Sequence, residues 1–323
     1  MKRRTALSAL AASSLPAWAQ SPAWPKARPI TYVVPFTAGG STDVVGRLIA
    51  QKLQESLGQT VIVENRPGQG GSIGATHVAR SAPDGYTLIG GTISTHAINR
   101  SLYKALPYDP VKDFEPVSLV AFLPNVLLVD PNLGVDTVAQ LIALLKKDER
   151  RRTFASSGAG TSTHLAGELF ADLIGVPLTH VAYKGTPPAM IDVSGGNVTF
   201  MFDQMTAALP LLQQGKLKLL AVTTAKRIAL SPGTPTMVEA GVAGFEMASW
   251  QAVYAPKNTP RAIVDRLSSE IRKALQTPEV SAKLGGQFGM EIAAGSPEAL
   301  AALMATEIPR WAALVQKSGA SAS

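Results

Sequence analysis

Alternating strand and helix patterns, two glycine-rich turns in the same strand-to-helix setting, and a length beyond one core predict an α/β protein of two lobes. The first turn is Pro35-Phe36-Thr37-Ala38-Gly39-Gly40-Ser41, after the strand-like run 30–34. The second is Ser156-Ser157-Gly158-Ala159-Gly160-Thr161-Ser162, after residues 153–155. Each opens a stretch of helical periodicity. A strand, a small-residue turn and a helix N-terminus aim unpaired backbone N–H groups at one point, which is an anion-binding geometry. Two such cradles about 120 residues apart suit two half-sites facing each other across a cleft. Both turns read with equal ease as ordinary βα connections. Of the 323 residues, 19 read as a leader, and the remaining 304 call for two domains of roughly 150 residues each.

The elements follow in order. Residues 30–34 and 60–64 are short β-branched runs. Between them Val44, Val45, Leu48, Ile49, Leu53 and Leu57 recur at helical spacing, and Gly58 supplies a C-cap. This βαβ unit implies parallel strands. Residues 87–89 form a strand after the turn Pro83-Asp84-Gly85. Residues 117–129 are largely apolar, broken by Pro124, and long enough to cross between domains. Residues 138–145 are helical. Leu165, Leu169, Phe170, Leu173 and Ile174 make an apolar helix face closed by Gly175. Further strands fall at 179–183, 198–202 and 217–222, with a helix around 206–212. Residues 245–254 are a second apolar crossing segment. Ile263, Val264, Leu267, Ile271 and Leu275 mark an amphipathic late helix, and the chain ends in an Ala-rich tail.

The N-terminus reads as an export signal. Lys2, Arg3 and Arg4 precede the apolar run 5–15, and Ala17-Trp18-Ala19 fits a cleavage site before Gln20. The expected product is a periplasmic, soluble protein. Arg3-Arg4 is compatible with both the twin-arginine and the general secretory route. The chain has no cysteine, so neither disulfides nor a lipidated cysteine are available. Three of the net +7 charges lie in the leader, leaving a mild +4. The basic cluster of Lys146, Lys147 and Arg150 to Arg152 reads as a solvated helix end, and no nucleic-acid partner is expected.

Catalytic and cofactor motifs fare poorly. Gly70-Gly71-Ser72-Ile73-Gly74 matches a nucleophile elbow in letters, but a Pro/Gly-rich loop separates it from the preceding strand. A Ser157–His164–Asp203 triad is conceivable in one cleft, yet Ser157 precedes the helix that carries His164. His77, His96, His164 and His180 are dispersed, so no metal is expected. No Walker or dinucleotide fingerprint is present, and no cofactor is expected.

Longer motifs carry a family resemblance. Residues 33–43, from Val33 through Pro35, Gly39 and Gly40 to Asp43, resemble the first motif of the Bug-type receptors. These are the extracytoplasmic solute receptors of the tripartite tricarboxylate transporter family. The resemblance continues through Gly58 to Gly68, Pro83 to Leu88, Leu106 to Pro110, Tyr183-Lys184-Gly185 with Pro188-Ala189, Gly215-Lys216-Leu217, Pro235-Thr236, and Trp250 before Ala255-Pro256. It departs at Arg100, where proline is expected after Asn99, and in the basic segment 146–152. The resemblance implies a type II periplasmic-binding-protein fold, two α/β lobes joined by two crossing segments around a ligand cleft. The apolar runs place the crossings so that residues 20–123 plus 249–323 form the first lobe and 124–248 the second. It also implies a large and a small integral membrane subunit as partners, with a sensor protein as a further option.

The candidate ligand contacts are Phe36, Thr37, Ala38, Gly39 and Ser41 from the first turn, and Ser157, Gly158, Gly160 and Thr161 from the second. Thr92, with Ser94, follows a strand end. Gly39, Gly40, Gly158 and Gly160 would allow close approach and positive φ. No Arg lies in either turn, so recognition would rest on helix ends, hydroxyls and water. Asp203 ends the run 198–202, where α/β clefts form; the resemblance implies that it faces the ligand's far end, and the alternative is that it caps the following helix. Asp43 reads as a first-turn acid favoured by the helix dipole, and Lys184 as a cleft cation or a surface lysine. The expected function is capture of a small carboxylate (a di- or tricarboxylate, an acidic amino acid or an aromatic acid) by lobe closure, without catalysis. The alternatives are a secreted Ser/His/Asp hydrolase and a sensing module for a signalling system.

Overall fold

The computed structural model describes residues 24–318; the leader and its cleavage site lie outside them. The strands are β1 (Ile30–Val34), β2 (Val61–Asn65), β3 (Thr87–Thr92), β4 (Phe114–Val129), β5 (Thr153–Ser156), β6 (Thr179–Ala182), β7 (Phe200–Gln204), β8 (Lys218–Val222), β9 (Ala248–Pro256) and β10 (Glu291–Gly295). The helices are α1 (Ser41–Leu57), α2 (Ser72–Ala79), α3 (Asn99–Leu102), α4 (Val138–Lys147), α5 (Ser162–Ile174), α6 (Thr186–Ser194), α7 (Met205–Gln213), α8 (Arg261–Leu275), α9 (Pro278–Ser281) and α10 (Pro297–Ser318).

The strands run in the order β2-β1-β3-β9-β4-β7-β5-β6, with β10 and β8 also on β4. The 16-residue β4 joins two groups of strands. Its first part, Phe114 to Pro124, pairs antiparallel with β9, and residues around Ala121 pair with β10 on the other side. Its last part, Asn125 to Val129, pairs with β7 and β8. Within each group the outer strands are parallel: β1 with β2 and β3, and β5 with β6 and β7. That is the βαβ arrangement the periodicity predicts, because a parallel pair needs a helical crossover.

Pro124, expected to break its segment, does not. β4 continues through it, because it stands where β4 changes one set of partners for another and a missing N–H costs the ladder least there. The Ala-rich C-terminal segment, which the sequence pattern left without elements, is structured. It forms β10 and the 22-residue α10 despite an internal Pro309. Its anchor is the buried Glu307, which accepts hydrogen bonds from the indoles of Trp250 (3.1 Å) and Trp311 (2.9 Å). A buried carboxylate needs such donors, and each indole needs an acceptor.

Helices pack closely on their sheets where glycine permits. A Cβ on Gly167 would lie 2.1 Å from the Phe154 ring, so any side chain there would lift α5 off β5. Among the described residues, no helix is long and apolar enough to cross a membrane.

Candidate functional site

The two glycine turns face one cavity between the strand groups. Its volume is about 30 Å³, and its wall contains eight hydroxyl side chains, two amides and no charged residue. Four helix N-termini converge there. Gly40 is the N-cap of α1, Ser162 and Thr186 open α5 and α6, and Gln204 is the N-cap of α7. Each brings the positive end of its helix dipole, although Pro187 and Pro188 leave α6 few N–H groups and the Ser162 and His164 N–H groups of α5 are already bonded to Ser94 and Thr161. The Ser41 hydroxyl, in a side chain only 2% exposed, lines this cavity and has no hydrogen-bond partner. A buried hydroxyl without a partner is costly unless a ligand or water completes it.

Of the residues singled out from sequence, Phe36, Ser41, Thr92 and Ser157 line the cavity, as does Ser94. The remaining candidates are not in its wall. Ala38 and Gly39 are exposed at the turn. Thr37 packs against Gly185 across the cleft. Thr161 caps α5, accepting from the His164 N–H and donating to the Gly158 carbonyl at 2.7 Å. Gly160 packs on Leu102 and Tyr103, while Gly158 lines an adjoining chamber. Gly39, Gly158 and Gly160 have φ of 83°, 139° and 86°. Gly40 corrects the expectation of positive φ: at −78° it has the extended conformation of an N-cap residue.

Asp203 is fully buried and is not in the cavity wall. It accepts from the Thr186 hydroxyl at 2.8 Å and from the Gln204 N–H at 2.7 Å, so it acts on the wall through Thr186. It does not cap α7, whose N-cap is Gln204. Burial pushes its carboxyl up to about 7, against the lowering effect of those two hydrogen bonds. Asp43 is turned onto its own loop. It accepts from the Gly39 N–H (3.0 Å), Arg47 (2.9 Å) and Asn65 (2.9 Å). Burial opposes its charge, but these three donors together hold the carboxyl below its ordinary value.

The three members of the conceivable triad go to different partners. Ser157 Oγ pairs with Thr163, His164 accepts from the Gly160 N–H and faces Glu168, and Asp203 holds Thr186. Ser72 opens α2 and bonds Gln69. Sequence reasoning treated the histidines as dispersed, but the fold stacks His164 on His180 at 3.9 Å between ring centroids. Beneath the second turn, His180 Nε2 meets Ser156 Oγ at 2.6 Å, and that oxygen accepts the Gly158 N–H. Also unforeseen were Ser162, Thr186, Gln204, Ser249 and Gln251 in the wall. Ser162 closes the second turn, whereas the other four come from distant elements that no local motif marks.

Two strand groups on a shared long strand and a cavity of converging helix ends fit the class of solute-binding proteins. The profile of the "Tripartite tricarboxylate transporter family receptor" matches residues 45–320, and the chain belongs to that family. It is 40% identical over 295 residues to Protein BugT of Bordetella pertussis, covering 91% of this chain and 90% of that one. The periplasmic binding protein BugD superposes with a TM-score of 0.87 at 38% identity, covering 91% of this chain and 98% of BugD. Rpa4515 of R. palustris, solved with adipate, gives 0.88 at 42% identity, covering 92% and 99%. The family and these structures are solute-binding receptors, not enzymes.

Proposed function

We propose that this protein captures a small carboxylate in the hydroxyl-lined cavity and presents it to the large and small membrane subunits of a tripartite transporter. The observation that carries the reading is the convergence of four helix N-termini and eight hydroxyls on one uncharged cavity. A carboxylate needs several N–H and O–H donors and is stabilised by helix N-termini without a cationic clamp. The adipate held by Rpa4515 supports the ligand class. In this reading residues 20–123 plus 249–323 form one lobe and 124–248 the other, with β4 and β9 carrying the crossings. Closure brings the first turn against the second lobe. The Ser94 hydroxyl accepting the Ser162 N–H at 3.1 Å and Tyr103 donating to the Ala159 carbonyl at 3.0 Å then bridge the lobes. The protein is exported after cleavage behind Ala19 and performs no catalysis.

The test is thermal unfolding of the mature protein, first unfolded and refolded to remove bound solute, against a carboxylate panel. A ligand that binds only the folded state raises the midpoint by linkage. A shift confined to carboxylates supports the reading. No shift with any carboxylate would sink the ligand assignment.

A further inference from the structure

A cavity of about 470 Å³ lies on the reverse of the crossing strands. Its place follows from the strand period. Ala248 and Ser249 are neighbours on β9, so their side chains leave opposite faces of the sheet. Ser249 lines the hydroxyl-rich cavity and Ala248 lines this one. The rest of the wall comes from β4 around Pro124, from residues 224–229 after β8, and from the segment between Gly285 and Glu291 that leads into β10. In the two-lobe division these last two segments belong to different lobes. They meet behind the crossing strands, where a Cβ on Gly289 would lie 3.4 Å from Leu230.

The volume is that of a small-molecule site, and such sites are mostly apolar with a few polar groups that fix orientation. Here Phe122, Ile228 and Met290 supply apolar surface. Lys226, Glu246 and Glu291 also line the cavity, and their side chains make no ion pair or hydrogen bond among the described residues. Arg227, in the same wall, is already held by Glu239 at 2.8 Å. An unpaired cation and unpaired carboxylates beside apolar surface complement a zwitterion with an apolar body.

We propose that this cavity is a second ligand site and that its ligand is an apolar α-amino acid. The carboxylate of the amino acid goes to Lys226, its ammonium to the Glu246 and Glu291 side, and its side chain to Phe122, Ile228 and Met290. A fatty acid would leave both glutamates unmatched, and an apolar amine would leave Lys226 unmatched. The site does not depend on what the hydroxyl-rich cavity holds. Its position also gives it a hold on closure. A hinge rotation that brings the front walls together draws the back walls apart, so opening the cleft narrows the cavity behind. The front is closed here, with Ser94 and Tyr103 bonded to Ser162 and Ala159. An amino acid that fills the back cavity therefore favours the closed setting.

The experiment is isothermal titration of refolded protein with L-phenylalanine and with 2-phenylethylamine, which keeps the ring and the ammonium and lacks the carboxylate. Wild type should bind L-phenylalanine about tenfold more tightly than the amine, the gain expected for a charge-assisted hydrogen bond. Lys226→Met should bring L-phenylalanine down to the level of the amine and leave the amine unchanged. Ala229→Trp, which fills the cavity from an exposed position, should weaken both at least about tenfold. Ser41→Ala, in the front cavity, should change neither. No binding of L-phenylalanine to wild type, or binding that Ala229→Trp spares or Ser41→Ala weakens, would overturn the site. Equal weakening of acid and amine by Lys226→Met would overturn the contact with Lys226. Small-angle X-ray scattering should show the ligand-free protein contract when L-phenylalanine is added, and an unchanged radius of gyration would overturn the link to closure.

Discussion

The two glycine turns face the same cavity, but different chemistry holds them. The first, residues 35–41, is braced by charge: the Asp43 carboxylate grips the Gly39 N–H, Arg47 and Asn65, and Asn65 also donates to the Phe36 carbonyl. The second, residues 156–162, is braced by neutral groups. Ser156, Thr161 and Thr163 hydroxyls and the His164 ring accept or donate to its amides and carbonyls, and His180 fixes Ser156. The difference shows that similar turns need not share a support. The Asp43 carboxylate is tolerable beside the cavity because its lone pairs are consumed by Gly39, Arg47 and Asn65. On the second side, hydroxyls and the His164 and His180 rings take that place.

The strongest way to break the comparison is at the point where the two sides touch. Gly185 has φ of 153°, and a Cβ there would lie 2.0 Å from Thr37 Oγ1. Gly185→Ala should hold the first turn away from the second side. Expected is a loss of at least about a hundredfold in ligand affinity, since a misplacement of even 1 Å can cost that much. The check is calorimetry beside the unfolding midpoint of the ligand-free variant. Affinity within a few-fold of wild type would show that closure does not need this contact.

Next in size is the histidine brace. His164→Ala leaves the Gly160 N–H without its acceptor, a buried donor whose loss costs about 1–3 kcal/mol. Affinity should fall by about tenfold or more. His164→Asn, which offers an amide oxygen near the position of Nδ1, should recover part of it. If Asn is no better than Ala, the ring acts by packing alone.

Much of this brace was not legible in the sequence, for identifiable reasons. The turns themselves were, because a β-branched run, a glycine cluster and a periodic helix leave a local trace: β1 spans Ile30–Val34 as read, and Gly58 and Gly175 end α1 and α5. Pairings between residues far apart leave no such trace. His164 and His180 look dispersed until α5 and β6 bring them together, and Ser249 and Gln251 reach the cavity only because β9 lies beside β3. Asp203 was placed correctly at a strand end, but only burial shows that it works through Thr186. The Ala-rich C-terminal segment carried no reading because alanine leaves little pattern; α10 is fixed by Glu307 between two tryptophans.

Mild acid should sharpen the contrast. His180 is driven down to about 3, chiefly by burial and further by His164. Its unfolded value is about 6.5. Between those values the unfolded chain binds the extra proton, so His180 makes stability fall as pH drops from about 6.5 toward 3. Asp43 lies below its ordinary value in the fold, so its contribution persists until the pH falls below about 3.9. From pH 6.5 to 4, therefore, the second turn should loosen while the first holds. Amide hydrogen exchange, corrected for its intrinsic pH dependence, should show falling protection at Gly158 and Gly160 with Gly39 unchanged. Parallel loss in both turns would mean that the supports are not independent.

The smallest effect tests the buried acid behind the second side. Asp203 titrates at about 7 in the fold and about 3.9 in the unfolded chain. Between those values the folded state holds the extra proton, so this group's contribution to stability declines as pH rises and is lowest above 7. Asp203→Asn removes the titration and keeps one acceptor for Thr186 or Gln204. At pH 5 the native carboxyl is already neutral and the variant should behave much like wild type. At pH 8 the variant escapes the cost of a buried carboxylate and should gain, by about 2–4 °C in unfolding midpoint for each kcal/mol recovered. A midpoint difference that stays constant from pH 5 to pH 8 would show that Asp203 is already ionised at pH 5. The Thr186 hydroxyl would then stand in the cavity wall on a full negative charge, a support by charge like that of the first turn, and the contrast between the two sides would narrow.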